Sequence, residues 1–234
     1  MLRSAAPLAL VFAVVAAAAP VPPLSEKEQI AKLWGKIEGE GEFELKGKRL
    51  RLRTARTPDR GAHGDGATAP RVTRAVTGDF EATVTLLDAD LPHPNAATDS
   101  RERNTRAGLF VAGGEYHVQL HLYQAFHENN GAVQATPQRS VWVDAWFPRG
   151  GSGSMLKDAE DGKSTHLRLV RKDKVVTVSY SLDGAEWSEP YNPHKEMDFP
   201  DAVTVGVYLA HTTHQTLEAA FTGFTVGKPK GPKE

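Results

Sequence analysis

The sequence predicts an all-β fold, an antiparallel β-sandwich with one short N-terminal helix. From residue 49 to residue 226, apolar and polar residues alternate in about ten short segments, and this period of two is typical of strands with one buried face. Turn residues separate the segments, as at Thr77-Gly78-Asp79 and Lys172-Asp173-Lys174. The mature chain is long enough to bury a core without staples.

The helix is predicted at residues 25–35. Ser25 and Glu28 have the spacing of a capping box. Ile30, Leu33 and Trp34 fall on one helical face, and Gly35 can end the helix.

Alternation places the strands and leaves three long loops between them. Gly223, between Phe221 and Phe224, is expected to form a bulge. The third long loop contains the Gly-rich run at residues 149–154, which lacks the Lys-Ser/Thr pair of a phosphate loop and is expected to be flexible. The predicted strands are residues 49–53, 80–86, 107–111, 116–122, 141–147, 166–172, 175–181, 203–209 and 217–226, and the long loops are residues 88–104, 126–139 and 148–164.

The N-terminus predicts export. Arg3 precedes an apolar run of 11 residues (8–18) that ends in a small-residue cleavage motif, a pattern typical of a signal peptide and too short to span a bilayer. We therefore expect a cleaved signal peptide at residues 1–18, a linker and short helix at 19–33, a β-sandwich domain at 34–227 and a disordered tail at 228–234. The mature protein is expected to be secreted, in the periplasm or outside the cell.

The bulk composition excludes several classes of function. The net charge is −1, so no overall positive field attracts nucleic acid. The chain has no cysteine, which excludes disulfides, thiolate metal sites and thiol catalysis. No later segment is long and apolar enough to insert into a membrane.

Three successive predicted strands carry unusual side chains on the face that alternation turns away from the core. If these strands are neighbours, they form one patch suited to sugars, because indole rings stack on sugar C–H faces while polar groups pair with hydroxyls. Alternatively, Trp142 and Trp146 are covered by the long loops and form a second small core. The candidate ligand-binding residues are Arg106, His117, Gln119, His121, Tyr123, Trp142, Asp144 and Trp146.

Several sequence motifs occur in an order that is similar to a known family. They are Ala69-Pro70-Arg71-Val72, Gly78-Asp79-Phe80-Glu81-Ala82, Thr105-Arg106-Ala107-Gly108-Leu109-Phe110, Leu167-Arg168-Leu169-Val170-Arg171, Ser179-Tyr180-Ser181-Leu182-Asp183-Gly184-Ala185-Glu186-Trp187, Phe199-Pro200, Val205-Gly206-Val207 and Ala220-Phe221-Thr222-Gly223-Phe224-Thr225-Val226. The order resembles the bacterial regulation-of-enolase-like domains of unknown function, in the concanavalin A-like lectin/glucanase superfamily, over residues 34–226. The resemblance implies a concanavalin A-like jelly roll, a fold in which lectins and glucanases use a concave sheet face for ligands.

The same resemblance allows a comparison with the catalytic strand of the glucanases. Laminarinase-type relatives carry an acidic E-x-D-x-E strand, whereas here Trp142 and Trp146 flank Asp144. Glycoside hydrolysis needs two carboxyl groups about 5 to 9.5 Å apart, so it would require a pair from different strands, such as Asp144 with Glu115 or Glu218. The motif at Asp183-Gly184 to Trp187 loosely resembles a sialidase Asp box, but turn chemistry alone explains it.

The sequence predicts no cofactor, with calcium as the alternative. His117 and His121 would lie about 13 Å apart along a strand, too far for one zinc ion. His211 and His214 are closer but make an incomplete site. Asp88, Asp90, Asn95 and Asp99 could bind calcium through oxygen ligands, although they lack the EF-hand order and are better interpreted as a solvated loop.

The resulting hypothesis is a secreted, non-catalytic module that binds polysaccharide or surface glycan on an open sheet face. The alternatives are a glycoside hydrolase with a non-standard carboxylate pair and a structural or protein-binding domain of the envelope. Arg49, Arg51 and Arg53 could suggest polyanion binding, but we expect Glu42 and Glu44 on the preceding strand to pair with them.

Overall fold

The computed structural model describes residues 24–54, 68–90, 104–126, 128–129, 132–133, 138–159, 164–195, 197–211 and 216–229. The predicted signal peptide, the linker up to residue 23 and residues 230–234 of the tail lie outside these residues. Export and the domain boundaries therefore stay predictions.

The single helix of the described residues, α1, spans Glu26–Leu33 and begins as predicted. The Ser25 side chain accepts the Glu28 backbone N–H, and the Glu28 carboxylate accepts the Ser25 backbone N–H at 2.8 Å, which satisfies two end groups of the helix. Ile30 and Trp34 are buried, and Trp34 stacks on Phe224. Leu33, which the sequence places on the same helical face, is exposed, because the i, i+4 pair Ile30 and Trp34 makes the contact with the sandwich.

Within the described residues, fifteen strands form two main antiparallel sheets and one small ladder. The seven-stranded sheet has the order β1-β4-β14-β6-β7-β10-β11, the six-stranded sheet has the order β13-β12-β5-β15-β3-β2, and β8 pairs with β9. The strands are β1 Lys36–Glu38, β2 Glu42–Lys46, β3 Arg49–Arg53, β4 Arg71–Thr77, β5 Phe80–Asp90, β6 Asn104–Gly113, β7 Tyr116–Ala125, β8 Glu128–Asn129, β9 Ala132–Val133, β10 Gln138–Phe147, β11 Gly150–Asp158, β12 Thr165–Lys172, β13 Val175–Ser181, β14 Ala202–His211 and β15 Glu218–Gly227.

The core lies between the two sheets and is built from the alternating apolar residues. Leu109 of β6, Leu120 of β7 and Val205 of β14 come from one sheet, and Leu169 of β12 and Phe221 of β15 come from the other. All five are fully buried. The prediction of an antiparallel β-sandwich of jelly-roll type with one short helix is therefore confirmed.

The turns follow from local residue chemistry. Asp173 and Lys174 both have positive φ in the two-residue turn between β12 and β13, as a type I′ hairpin turn requires. Gly223 has a φ of 65° where the register of β15 against β5 shifts, which confirms the predicted bulge. Glu42 and Glu44 pair with Arg53 and Arg51, at 3.2 and 3.5 Å, as expected.

The prediction for residues 148–164 is wrong in part. Residues 150–158 are the edge strand β11, which pairs with β10 over eight residues from Ser140 to Phe147. The Gly-rich composition hid the alternation, because Gly150, Gly151 and Gly153 supply no apolar side chain. Within the part of the chain that the structure describes, no helix is long and apolar enough to cross a membrane.

Candidate functional site

The structure brings all eight sequence-predicted site residues onto one face of the seven-stranded sheet. Strands β6, β7, β10 and β11 are consecutive neighbours. The backbone partners are Arg106 with Tyr123, His121 with Trp142, Gln119 with Asp144 and His117 with Trp146. Because the core side chains alternate with these, the eight residues share the outer surface, called here the polar face. Their placement was predictable from period-two alternation; their role as ligands stays a prediction.

The centre of the polar face is more deeply buried than the sequence suggested. His117, Gln119 and His121 are buried, and the open face expected there is not present. The cause is a small apolar cluster on the same surface, whose buried members are Ala69, Phe110, Tyr208 and Ala210. A second small core therefore does exist, but Phe110 and Tyr208 form it, while Trp142 and Trp146 stay half-buried.

Ring contacts join this apolar cluster to the histidines. The Phe110 ring stacks on His117 at 5.5 Å between centroids, and Tyr208 meets His121 edge-on at 6.3 Å. Trp146 also meets His117 edge-on, at 5.5 Å. The polar face is thus open mainly at Arg106, Tyr123 and the two tryptophans.

A buried hydrogen-bond chain fixes the middle of the face. The Tyr208 hydroxyl donates to Gln119 Oε1 at 2.8 Å, and Gln119 Nε2 donates to His117 Nε2 at 3.0 Å. The acceptor role of His117 Nε2 places its ring proton on Nδ1. Burial raises the pKa of Tyr208 well above its ordinary value, so the phenol remains a neutral donor that satisfies the buried amide.

Asp144 is the centre of the open half. Its Oδ1 accepts the Trp142 indole N–H at 2.9 Å. Its Oδ2 lies 3.6 Å from an Arg106 guanidinium nitrogen and 3.7 Å from His121 Nε2. Burial, and secondarily the charge of Arg106, hold the pKa of His121 well below its ordinary value. The imidazole is therefore neutral, and Arg106 and Asp144 form the charge pair of the site.

The glycines of β11 make room for the Trp142 and Trp146 rings. A Cβ on Gly153 would lie 2.6 Å from Asp144 Oδ1 and 2.9 Å from Trp142 Nε1, and one on Gly151 would lie 3.0 Å from Trp146 Cδ1. Each distance is too short for a normal contact. The spacing of Gly151 and Gly153 therefore lets both indoles lie over the edge strand. The Trp-x-Asp-x-Trp run of β10 is the sequence signal that could have revealed this packing of β10 on a Gly-rich strand.

A pocket of about 260 Å³ lies over this arrangement. Sequence reasoning missed Met155, Gln138 and Ser140, because the first belongs to the strand taken for a loop and the others to an unpredicted extension of β10. The pocket offers one guanidinium, one carboxylate, an amide, a hydroxyl and aromatic surface, which can bind a polyhydroxylated ligand. The lining residues are Arg106, Tyr123, Gln138, Ser140, Trp142, Asp144 and Met155.

The carboxylate pairs considered for hydrolysis are not brought together. Glu218 belongs to β15 of the opposite sheet, where Arg53 is its backbone partner. Glu115 lies in the turn before β7, four residues from the Gln119 that faces Asp144, or about 13 Å along the strand. Neither position gives the spacing of a glycosidase pair with Asp144.

The residues considered for metal binding lie partly inside and partly outside the described residues. Within the described residues, no group of three or more His, Asp or Glu side chains could hold a metal ion. His214, Asn95, Asp99 and the side chains of Asp88 and Asp90 lie outside the described residues. The calcium alternative therefore stays a prediction.

Comparisons with known proteins inform the fold. No family model matches the chain, and no curated protein matches it in sequence. Among solved structures, the chain is similar to a functionally unknown protein from Saccharomyces cerevisiae, at 13% identity and a TM-score of 0.58, covering 84% of this chain and 97% of that one. It is also similar to the alginate lyase from Klebsiella pneumoniae, at 9% identity and a TM-score of 0.53, covering 82% and 86%. A further alginate lyase matches at 11% identity and a TM-score of 0.52, covering 79% and 77%.

These similarities establish the β-sandwich jelly roll. At such identities they carry no function across, because one fold hosts many functions. The resemblance to the regulation-of-enolase-like domains finds no support in a family model or a curated sequence.

Proposed function

We propose that this protein is a carbohydrate-binding domain and that the pocket at Trp142, Asp144 and Arg106 holds a sugar ring. The observation that carries the proposal is the fixed Trp142 indole, hydrogen-bonded to Asp144 beside a guanidinium. A sugar stacks its C–H face on an indole and pairs its hydroxyls with neighbouring donors and acceptors. A pre-ordered indole also loses little conformational entropy when the ligand binds.

The comparisons add support at the level of the fold. Two of the similar structures are alginate lyases, so the same sandwich is used elsewhere for polysaccharide. The signal-peptide pattern at residues 1–18 fits a protein that meets glycans outside the cytoplasm. A place among the regulation-of-enolase-like domains is part of the same proposal and rests on the motifs quoted above.

A non-catalytic role fits the pocket better than hydrolysis. Asp144 is the one carboxylate that the described residues contribute to the pocket lining, and its two oxygens are already engaged with Trp142 and Arg106. A glycosidase of the usual kind needs a second carboxyl group across the scissile bond.

The test is a glycan array followed by retention on the matrix that binds. Replacing both Trp142 and Trp146 with Ala is expected to abolish retention, because the stacking surface is removed. Val175→Ala is the matched control, since it trims an exposed apolar side chain at the β12–β13 turn. Circular dichroism and thermal unfolding must show that the double variant is folded.

Retention that is unchanged in the folded double variant would refute the site, and a silent array would refute glycan binding. Release of reducing sugar that disappears in Asp144→Asn would replace the non-catalytic proposal with hydrolysis.

A further inference from the structure

A second and larger cleft lies on the outer face of the six-stranded sheet, on the side of the sandwich opposite to Trp142. Its volume is about 880 Å³. Its floor is formed by the half-buried outward side chains of β5, β12 and β13, and its wall is formed by the segment after β13. The side chains that matter most are Thr83, Thr85, His166, Arg168, Thr177 and Trp187; the group is called here the threonine cleft.

The wall of the threonine cleft is a rigid turn. Asp183 Oδ1 accepts the backbone N–H groups of Ala185 at 2.8 Å and Glu186 at 3.0 Å, and also the Ser181 hydroxyl at 2.9 Å. These hydrogen bonds, that of Glu186 first, lower the pKa of Asp183 to about 2, so the carboxylate holds the turn at neutral pH. Gly184 has a φ of 79°, and a Cβ there would lie 2.9 Å from His166 Nε2, so the turn packs directly on the floor.

The floor presents oriented hydroxyl and imidazole groups. The Thr83 and Thr225 hydroxyls are 2.8 Å apart, and the Thr85 hydroxyl lies 2.9 Å from His166 Nδ1. Each hydroxyl keeps a further donor or acceptor for a ligand, since one such group can make up to three hydrogen bonds. A surface of this kind is suited to the hydroxyls of a sugar.

Arg168 has no ion-pair partner among the described residues. Its Nε donates to Ser179 Oγ at 2.9 Å, and its guanidinium lies 4.4 Å from the centroid of the Trp187 ring. Neither terminal nitrogen has an acceptor among the described residues, and Arg168 forms no ion pair there, in contrast to Arg51 and Arg53 of the same sheet.

We propose that the threonine cleft is a second binding site and that its ligand is a carboxylated sugar, as in an oligouronate. The terminal nitrogens of Arg168 match a carboxylate in a bidentate manner, and the threonine hydroxyls pair with the hydroxyls of the ring. Stacking on Trp187 holds the guanidinium in place before the ligand arrives. The site shares no residue with the Trp142 pocket and does not depend on the function proposed for it.

The test is an NMR titration of the purified full chain with trigalacturonate, with a neutral galactose trisaccharide as the comparison. The indole N–H signals of the four tryptophans separate the two faces, because Trp187 reports on the threonine cleft while Trp142 and Trp146 report on the other pocket. Trp187→Phe assigns the signal. We expect trigalacturonate to shift the Trp187 signal and the neutral trisaccharide to leave it in place.

Three variants sharpen the test. Arg168→Gln is expected to weaken trigalacturonate binding by about tenfold or more, the scale of one lost charge-assisted hydrogen-bonded pair. Arg51→Gln, on the same sheet but paired with Glu44, is the matched control and should leave binding unchanged. Thr177→Val keeps the contact between Arg168 and Trp187 and removes one hydroxyl, and should weaken binding by a few fold.

The proposal is overturned if no trisaccharide moves the Trp187 signal, or if shifts are confined to Trp142 and Trp146. Equal shifts with the neutral sugar would overturn the carboxylate assignment. Equal weakening in Arg168→Gln and Arg51→Gln would show that only overall charge matters, and would overturn the site.

Discussion

Replacing Gly153 with Ala should destabilise the domain, although the position lies in an exposed edge strand. The added Cβ would lie 2.6 Å from Asp144 Oδ1, so the carboxylate must rotate away and lose the Trp142 hydrogen bond. A hydrogen bond to a charged group contributes about 1.5–3 kcal/mol, and Ala in place of Gly in a strand returns about 0.5–1 kcal/mol. The expected net loss in the free energy of unfolding is therefore about 0.5–2.5 kcal/mol.

Urea unfolding monitored by tryptophan fluorescence measures this loss directly, and the melting temperature should fall by about 1–10 °C for a chain of this size. The matched control is Gly227→Ala, at the end of β15, where an added Cβ meets nothing within 4 Å and stability should stay within about 0.5 kcal/mol. Equal stability of Gly153→Ala and the native chain would refute the packing of Trp142 and Asp144 on β11.

Two further predictions concern buried polar side chains. The pKa of His121 is lowered in the folded state, so the unfolded chain binds more protons below about pH 6.5 and stability is lost as the pH falls from there. His121→Gln should reduce the slope of unfolding free energy against pH between 5 and 6.5, by up to about 1.4 kcal/mol per pH unit. An unchanged slope would contradict the burial of a neutral imidazole. The fully buried Arg171 of β12 donates to the backbone carbonyls of Asp201 at 2.9 Å and Phe199 at 3.3 Å, which lie just before β14. Arg171→Met should lower the free energy of unfolding in urea by about 2–4 kcal/mol. A loss below about 0.5 kcal/mol would show that the guanidinium does not connect the two sheets.

The sequence was sufficient to place the polar face but not to judge its exposure. Alternation along β7 and β10 fixes which side chains turn outward, because successive residues of a strand point to opposite faces. The burial of His117 and His121 depends on Phe110 of β6 and on Tyr208 of β14. Tyr208 is far from β6 and β7 in the sequence, and no local sequence pattern predicts that its strand, β14, pairs with β6.

The missed edge strand has a different cause. Strand patterns are recognised from apolar side chains, and β11 has mostly small or polar residues at Gly151, Ser152, Gly153 and Ser154. Its partner decides its conformation: the wide indoles of Trp142 and Trp146 leave space only for residues without a side chain. The glycines of β11 therefore match the large side chains of β10, and such a match between two strands cannot be detected from the apolar alternation of one strand alone.

The Trp142 pocket and the threonine cleft differ in whether their arginine forms an ion pair with a described residue. Around Trp142, Arg106 and Asp144 lie within 3.6 Å and His121 is kept neutral, so the pocket has little net charge and is suited to a neutral sugar ring. In the threonine cleft, Arg168 lacks an ion pair among the described residues, so the anionic ligand proposed for this cleft would form a charge-assisted contact with it. If both faces bind, a single chain could engage neutral and acidic parts of a glycan at once, and binding to a mixed polymer should then exceed binding to either oligosaccharide through effective concentration alone.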